Sequence, residues 1–209
     1  MITSLRYAVL LLIVNVWIGF SVPAAANQVT ITVIGDSLTA GLGLNRAEAF
    51  PARLQEALNK SGTAARVIGA GVSGDTTSGG LSRLTWALSE KPDLVIVELG
   101  ANDGMRGIDP VVTRKNLDQM ILRIKNRGIK VLLTGMKAPP NLGRDYTTAF
   151  NGIFPYLAKK HQIPFYPFFL EGVAAVPELN QDDAKHPNAQ GVTVITDKIL
   201  AYVKEALRE

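Results

Sequence analysis

Short runs of branched apolar residues alternate along the chain with segments in which apolar residues recur every three or four positions. Four such runs, at residues 29–34, 66–68, 94–97 and 129–133, predict strands. A shorter run at 163–166 predicts a fifth strand. The run at 94–97 contains no polar residue, which is typical of a strand buried on both faces of a parallel sheet.

Helical spacing of apolar residues separates these predicted strands. The helical segments lie at 51–61, 81–88, 117–124, 150–157 and 192–203. Pro51 suits the first turn of its helix, and Gly128 is expected to stop the third one. Pro155 is expected to kink or shorten the fourth helix, because proline removes a backbone hydrogen bond there.

Alternation of strands and helices predicts the fold class. Such strands pair in parallel through right-handed crossovers. We therefore predict one α/β domain, a three-layer α/β/α sandwich around a parallel sheet of about five strands. In sheets of this kind, ligands bind beyond the carboxyl ends of the strands, so the chemistry is sought there.

Residues 1–26 have a different character from the rest of the chain. Arg6 precedes an apolar run at 8–20, and three alanines at 24–26 offer a cleavage site before Asn27. The run is short for a membrane span, which needs about 20 apolar residues. These features predict a signal peptide at 1–26 and a domain at 27–209, with an uncleaved membrane anchor as the alternative.

Composition excludes several classes of protein. With 209 residues, 47% hydrophobic and 19% charged, the chain is a folded globular protein rather than a disordered one. The absence of cysteine excludes disulfides, thiolate metal sites and a cysteine nucleophile, and two histidines disfavour a histidine-rich metal cluster. The net charge of +4 is scattered, so no nucleic-acid partner is expected.

Residues suited to nucleophilic catalysis follow the predicted strands. Ser37 follows the first strand, Gly74 the second and Asn102 the third. Thr39 stands where a nucleophile elbow has its second glycine, which disfavours an α/β-hydrolase of that type. Taken singly, Ser37 is equally typical of a helix cap, and Asn102 of a turn.

A carboxylate and an imidazole lie close together near the last helix. Asp183 precedes His186 by three residues, and Pro187 is expected in the first helical turn, which would put His186 at its mouth. A serine nucleophile needs a base oriented by a carboxylate in this way. Asp182 is an alternative partner for the imidazole, and His161 is expected at the surface.

Together and in this order, these blocks resemble the SGNH hydrolases, also called the GDSL esterase family. The four residues 35–38 read Gly-Asp-Ser-Leu, the motif that names the family, and the later blocks match in order and type. The resemblance extends from Val29 to the C-terminal helix, essentially the whole mature chain, and is greatest to small periplasmic bacterial arylesterases, thioesterases and lysophospholipases. It implies the flavodoxin-like SGNH hydrolase fold and a periplasmic or secreted bacterial location.

The resemblance also implies a role for each residue. Ser37 is the expected nucleophile that forms an acyl-enzyme, His186 its base, and Asp183 the group that orients the imidazole. The backbone N–H groups of Ser37 and Gly74 and the side chain of Asn102 are expected to bind the oxyanion. Neither a metal nor an organic cofactor is needed for this chemistry.

The expected reaction is hydrolysis of a carboxylic ester or thioester of an acyl chain. An apolar groove for that chain is expected between the loops at 75–80 and 136–143, with Asp36 and Asp103 as structural neighbours. The expected partner is a small acyl substrate, without stable membrane insertion once the signal is cleaved. Two alternatives are a carbohydrate acetylesterase and a flavodoxin-like binding domain without activity.

Overall fold

The computed structural model of this chain describes residues 28–208. Five parallel strands form one sheet in the order β2-β1-β3-β4-β5. The strands are β1 (Val29–Gly35), β2 (Ala65–Gly71), β3 (Leu94–Glu98), β4 (Lys130–Thr134) and β5 (Phe165–Tyr166). The predicted fold class, an α/β sandwich around a parallel sheet of five strands, is confirmed.

Helices cover both faces of the sheet. They are α1 (Ser37–Ala40), α2 (Phe50–Lys60), α3 (Thr77–Ser82), α4 (Leu84–Ala87), α5 (Ala101–Met105), α6 (Pro110–Lys125), α7 (Arg144–Asn151), α8 (Ile153–His161) and α9 (Ala189–Arg208). Helices α2 and α9 pack together against one face, and α4, α6 and α8 lie against the other. The central strand β3 is buried along its whole length, as its apolar run predicts.

The structure corrects the prediction for the helix around Pro155. Helices α7 and α8 meet at Gly152, and Pro155 lies within the first turn of α8. Because the first N–H groups of a helix have no intrahelical partner, proline costs little at that position. The break therefore precedes the proline instead of falling on it.

The start of the C-terminal helix is also corrected. Pro187 precedes α9, and the side-chain oxygen of Asn188 accepts the N–H groups of Gln190 and Gly191, both at 3.0 Å. Asn188 thus caps the helix, since an asparagine oxygen satisfies N–H groups that the first turn leaves free. His186 lies in the preceding loop rather than at the helix mouth.

The predicted signal peptide at 1–26 lies outside the described residues. Among residues 28–208, no helix combines the length and the apolar character that crossing a membrane requires.

Candidate active site

Ser37 is presented by a tight turn between β1 and α1. The side chain of Asp36 accepts the N–H of Leu38 at 3.0 Å and caps α1, so Ser37 is the first helical residue. A Cβ at Gly35 would collide with the side chains of Thr39 and Glu98. Glycine at this position therefore lets two polar side chains pack beneath the serine.

Ser37, His186 and Asp183 form one hydrogen-bonded series. Ser37 Oγ lies 2.8 Å from His186 Nε2, and His186 Nδ1 lies 2.5 Å from Asp183 Oδ2. The carboxylate places the imidazole proton on Nδ1 and leaves Nε2 free to accept the serine hydroxyl. The imidazole therefore bonds Asp183 and not the alternative Asp182, in the arrangement that serine hydrolases use.

Asp183 is held as a carboxylate by the loop that carries the histidine. Its side chain is 44% exposed, and its other oxygen accepts the N–H groups of Lys185 at 2.9 Å and His186 at 3.0 Å. The hydrogen bond from the His186 ring, followed by these backbone bonds, lowers the pKa of Asp183 well below its ordinary value. Asp183 is consequently ionised throughout the neutral range.

Hydrogen bonds made by Gln181 hold the loop that carries His186. The N–H of Gln181 donates to the carbonyl of His186 at 2.8 Å. The side chain of Gln181 donates to the carbonyls of Leu42 at 2.8 Å and Pro187 at 2.9 Å. These bonds tie the histidine loop to the segment that follows α1.

The loop that carries Gly74 is held by arginines. Gly74 has a φ of +83°, a conformation that favours glycine, and its carbonyl accepts Arg106 Nη2 at 2.8 Å. Arg83 donates to Asp75 Oδ2 at 2.6 Å and to the carbonyls of Ala70 and Gly35, both at 2.8 Å. One guanidinium thus joins this loop to the carboxyl ends of β1 and β2.

Two backbone N–H groups near Ser37 are free to donate. Within residues 28–208, neither the N–H of Ser37 nor the N–H of Gly74 makes a hydrogen bond. Unsatisfied backbone donors of this kind are the elements of an oxyanion hole.

Asn102, in the first turn of α5, lies between the two loops. Its side-chain amide donates to Asp36 Oδ2 at 3.1 Å and to the carbonyl of Asp75 at 2.9 Å. It therefore links the residue before Ser37 to the residue after Gly74. Both hydrogens of the amide are engaged in this structure.

Two carboxyl groups are buried directly behind the serine. Asp36 and Glu98 are both fully buried, and Thr39 Oγ1 donates to Glu98 Oε2 at 2.6 Å. Burial raises the pKa of Asp36 to about 6, against the opposing hydrogen bonds from Leu38 and Asn102. Burial, with the nearby charge of Asp36, raises the pKa of Glu98 well above its ordinary value.

Sequence reasoning did not single out Glu98. The sequence does show a carboxyl group at the end of an otherwise apolar strand. In the structure this residue pairs in register with Gly35. A charge there is costly unless it is paired or neutralised, so the residue type itself marks an unusual site.

Asp103 connects two helices, in agreement with its expected structural role. Its buried carboxylate accepts the N–H of Thr77 at 2.8 Å, the hydroxyl of Thr77 at 2.5 Å and the hydroxyl of Thr113 at 3.0 Å. These bonds fix the start of α3 against α6. The segment at 75–80, predicted to be a loop, is instead partly helical and anchored.

The structure corrects the surface position predicted for His161. The side chain is 6% exposed, and its Nε2 lies 2.6 Å from Asp118 Oδ1. Lys160 also donates to Asp118, at 2.8 Å, and these bonds lower the pKa of Asp118 although burial opposes them. His161 thus pairs with Asp118 between α8 and α6, away from Ser37.

A groove of about 290 Å³ opens beside Ser37 and His186. One wall is the loop after β4, which includes Met136, Ala138 and Pro139, as the sequence predicts. The other wall is the segment after β5, with Phe168, Leu170 and Ala174. The loop at 75–80 is not part of the groove, so that half of the prediction is wrong.

The sequence pattern does not distinguish the segment after β5 as a groove wall, because a cluster of aromatic residues is equally typical of a core. Phe169 is buried, but Phe168 is half-buried and faces the groove, with Lys137 Nζ at 4.5 Å from its ring centroid. The rule that places ligands at the carboxyl ends of strands applies to β5 as well.

Among residues 28–208, no three His, Asp or Glu residues are placed to hold a metal ion.

Comparison with known proteins agrees with this geometry. The sequence profile of the GDSL-like lipase/acylhydrolase family matches residues 33–194. The chain is 43% identical over 170 residues to an arylesterase of Vibrio mimicus, covering 80% of this chain and 85% of that protein. It is 40% identical over 174 residues to thioesterase 1/protease 1/lysophospholipase L1 of Escherichia coli K12, covering 83% and 82%.

Solved structures show the same relationship. The crystal structure of TesA matches with a TM-score of 0.80 at 40% identity, covering 85% of this chain and 99% of that one. The psychrotrophic esterase EstA from Pseudoalteromonas sp. matches with a TM-score of 0.82 at 30% identity, covering 87% and 100%.

The fold, the serine site and these matches define a hydrolase of the SGNH type. The chain belongs to the GDSL-like lipase/acylhydrolase family. It is an ester hydrolase of that family, and the alternative of a flavodoxin-like binding domain without activity is wrong.

Proposed function

We propose that this enzyme hydrolyses carboxylic esters or thioesters of acyl chains through an acyl-enzyme on Ser37. The observation that carries this proposal is the Ser37–His186 contact of 2.8 Å, with Asp183 on the second ring nitrogen, beside an apolar groove. A serine hydroxyl is a weak nucleophile until such a base is within hydrogen-bond reach.

Acylation follows from the positions of these groups. Ser37 Oγ attacks the carbonyl carbon while His186 Nε2 takes the hydroxyl proton, and Asp183 stabilises the imidazolium that forms. The negative charge moves to the carbonyl oxygen, where the N–H groups of Ser37 and Gly74 and the amide of Asn102 receive it. The bond to the leaving oxygen or sulfur then breaks, and His186 returns the proton to the leaving group.

Deacylation repeats these steps with water. His186 takes a proton from the water as its oxygen attacks the acyl carbon, and the same donors receive the oxyanion. Collapse releases the carboxylic acid and restores the Ser37 hydroxyl. No step in this sequence calls on a metal or an organic cofactor.

The groove supports acyl chains as substrates. Its walls are mainly apolar side chains of the segments after β4 and β5, so burying an acyl chain there is favourable. Relatives named arylesterase and thioesterase/lysophospholipase support aryl esters, acyl thioesters and lysophospholipids as substrate classes. EstA is described as inhibited by monoethylphosphonate, and we expect this enzyme to be inactivated by phosphonates too.

The test is hydrolysis of p-nitrophenyl acetate, octanoate and palmitate by the wild type, Ser37→Ala and Ser82→Ala. Ser82 is exposed and lies outside the groove, so its variant is the matched control. We expect Ser37→Ala alone to lose activity, and octanoate or palmitate to be preferred. Exclusive use of acetate would favour the carbohydrate acetylesterase, and an inactive but folded wild type would contradict the proposal.

We also propose that residues 1–26 are a signal peptide and that the mature domain at 27–209 is periplasmic or secreted. The support is the basic, apolar and small-residue order of that segment. The test is expression of the full chain in a bacterium, followed by N-terminal sequencing of the exported protein. We expect the exported protein to start at Asn27. Recovery of the intact chain in the membrane fraction would contradict this proposal.

A further inference from the structure

The carboxylate of Asp36 contacts Asn102 but takes no part in the acylation and deacylation steps proposed for this enzyme. Asp36 is fully buried, and its two oxygens accept the N–H of Leu38 at 3.0 Å and the Asn102 amide at 3.1 Å. The first bond caps α1. The second bond joins a buried charge to a residue that the proposed function places in the oxyanion hole.

The hydrogens of the Asn102 amide limit what this residue can do during catalysis. A side-chain amide has two N–H donors, and here one goes to Asp36 and the other to the carbonyl of Asp75. To bind an oxyanion, Asn102 has to release one of these acceptors. Hydrogen bonds to a carboxylate are stronger than hydrogen bonds to a neutral carbonyl, so the bond to Asp75 is the one released.

We propose that Asp36 is a positioning residue of the oxyanion hole, which holds one hydrogen of Asn102 so that the other transfers from the Asp75 carbonyl to the oxyanion. This inference rests on the role given to Asn102 in the proposed function. Both carboxylate oxygens of Asp36 are engaged by Leu38 and Asn102, so Asp36 acts through the orientation and polarisation of the Asn102 amide.

The surroundings of Asp36 place the negative charge on it rather than on Glu98. Each oxygen of Asp36 accepts a hydrogen bond, whereas Thr39 and the Asp36 N–H both donate to Glu98 Oε2, and Glu98 Oε1 has no hydrogen-bond partner within residues 28–208. Two adjacent buried carboxylates repel, so one of them stays neutral. Burial and the Asp36 charge raise the pKa of Glu98 well above its ordinary value, which agrees with a protonated Glu98.

A double-mutant cycle separates positioning from helix capping. In Asp36→Asn, the amide oxygen still accepts the Leu38 N–H, but the new NH₂ group faces the NH₂ of Asn102, so the two donors repel. We expect kcat for p-nitrophenyl octanoate to fall at least about tenfold with KM within about twofold, since oxyanion donors act on the transition state. The double variant with Asn102→Ala is expected to match Asn102→Ala alone within about twofold.

Asp109→Asn is the matched control for the cycle. Asp109 also caps a helix with its carboxylate, accepting the N–H of Val111 at 2.8 Å, but it lies outside the groove. We expect its kcat to stay within about twofold of the wild type. Equal losses in Asp36→Asn and Asp109→Asn, or additive effects of Asp36→Asn and Asn102→Ala, would overturn the inference.

A second measurement needs no change at Asp36. Glu98, Asp75 and His186 are the titratable groups that face Asp36, and Arg83 neutralises Asp75. Burial raises the pKa of Asp36 to about 6, so acid protonates it and replaces the charged acceptor for Asn102 with a weaker, neutral one. The ratio of wild-type to Asn102→Ala kcat is therefore expected to shrink as pH falls through about 6, and a constant ratio would overturn the inference.

The two proposals fail in different ways. If Asn102→Ala leaves kcat unchanged, the oxyanion role of Asn102 in the proposed function is wrong, and the inference about Asp36 falls with it. If Asn102→Ala lowers kcat while Asp36→Asn does not, the proposed function stands and the inference alone is wrong.

Discussion

Three carboxyl groups around Ser37 show how residues of similar type take different roles in different surroundings. Asp183 is part-exposed and accepts three hydrogen bonds, so its pKa is lowered. Asp36 and Glu98 are buried, and burial raises the pKa of both. The exposed group orients the imidazole, and the buried pair supports the turn and the amide behind the serine.

Asp183→Asn is expected to lower kcat by about 100-fold or more, because the amide no longer holds the proton on Nδ1 or stabilises the imidazolium. The matched variant is Asp182→Asn, one residue earlier, where we expect kcat within about twofold of the wild type. Measuring pH–rate profiles of both variants checks the assignment. A larger loss in Asp182→Asn would show that the partner has been misidentified.

Glu98→Gln is expected to stabilise the fold increasingly as pH rises above about 4.5. The folded state keeps the Glu98 proton to a higher pH than the unfolded chain, so wild-type stability falls above the ordinary glutamate pKa of 4.5. Glutamine has no proton to lose, so the variant avoids this penalty. Urea denaturation from pH 4 to pH 8 measures the difference, and a gain independent of pH would contradict the expectation.

At the scale of single elements, local pattern predicts strands and helices well but not their exact ends. Apolar runs locate all five strands of residues 28–208, most clearly the central strand β3, which is buried along its whole length, whereas the edge strand β2 is partly exposed. The helix ends depend on features that the apolar spacing does not show. Asn188 caps α9 with its side chain, and α7 gives way to α8 at Gly152 without a side-chain cap.

Asn188→Ala is expected to destabilise the protein by about 1 kcal/mol, because α9 loses its cap. Asn188→Ser keeps an oxygen for the first N–H groups of α9 but, like alanine, gives up the amide bonds to the carbonyls of Glu178 and Asn180, so it is expected to lose less. Urea denaturation of the three proteins at neutral pH measures both effects. Equal stability of the alanine and serine variants would show that the cap is not the relevant interaction.

At the scale of the whole molecule, segments far apart in sequence build the site. Ser37 follows β1, Gly74 and Asn102 follow β2 and β3, the groove walls follow β4 and β5, and His186 precedes α9. Parallel strands bring all of these carboxyl ends to one edge of the sheet. The groove therefore lies where the fold places ligands, between two segments that are joined by the hydrogen bond from the Phe169 N–H to the Gly135 carbonyl.

Ala174→Phe is expected to lower the ratio of octanoate to acetate hydrolysis by about tenfold, because the ring fills space that a longer acyl chain needs. Ala201→Phe, at an exposed position of α9 outside the groove, is the matched control. Comparing kcat/KM for the p-nitrophenyl esters of both variants tests the position of the acyl chain. An unchanged ratio in Ala174→Phe would place the chain elsewhere.

The sequence by itself determined the fold class, the family and the residues that meet at Ser37. Periodicity predicts strands and helices because burial is repeated along each element. The motif blocks identify Ser37, Asn102 and His186, because residue type and order can be compared between sequences without a structure.

Only the tertiary structure decided which groups share a hydrogen bond. Contacts between distant segments place Glu98 behind Asp36 and engage both hydrogens of Asn102. They also pair His161 with Asp118. The physical reason is that burial and pairing depend on where the chain passes in space, and these decide whether a polar group is charged, satisfied or free to react.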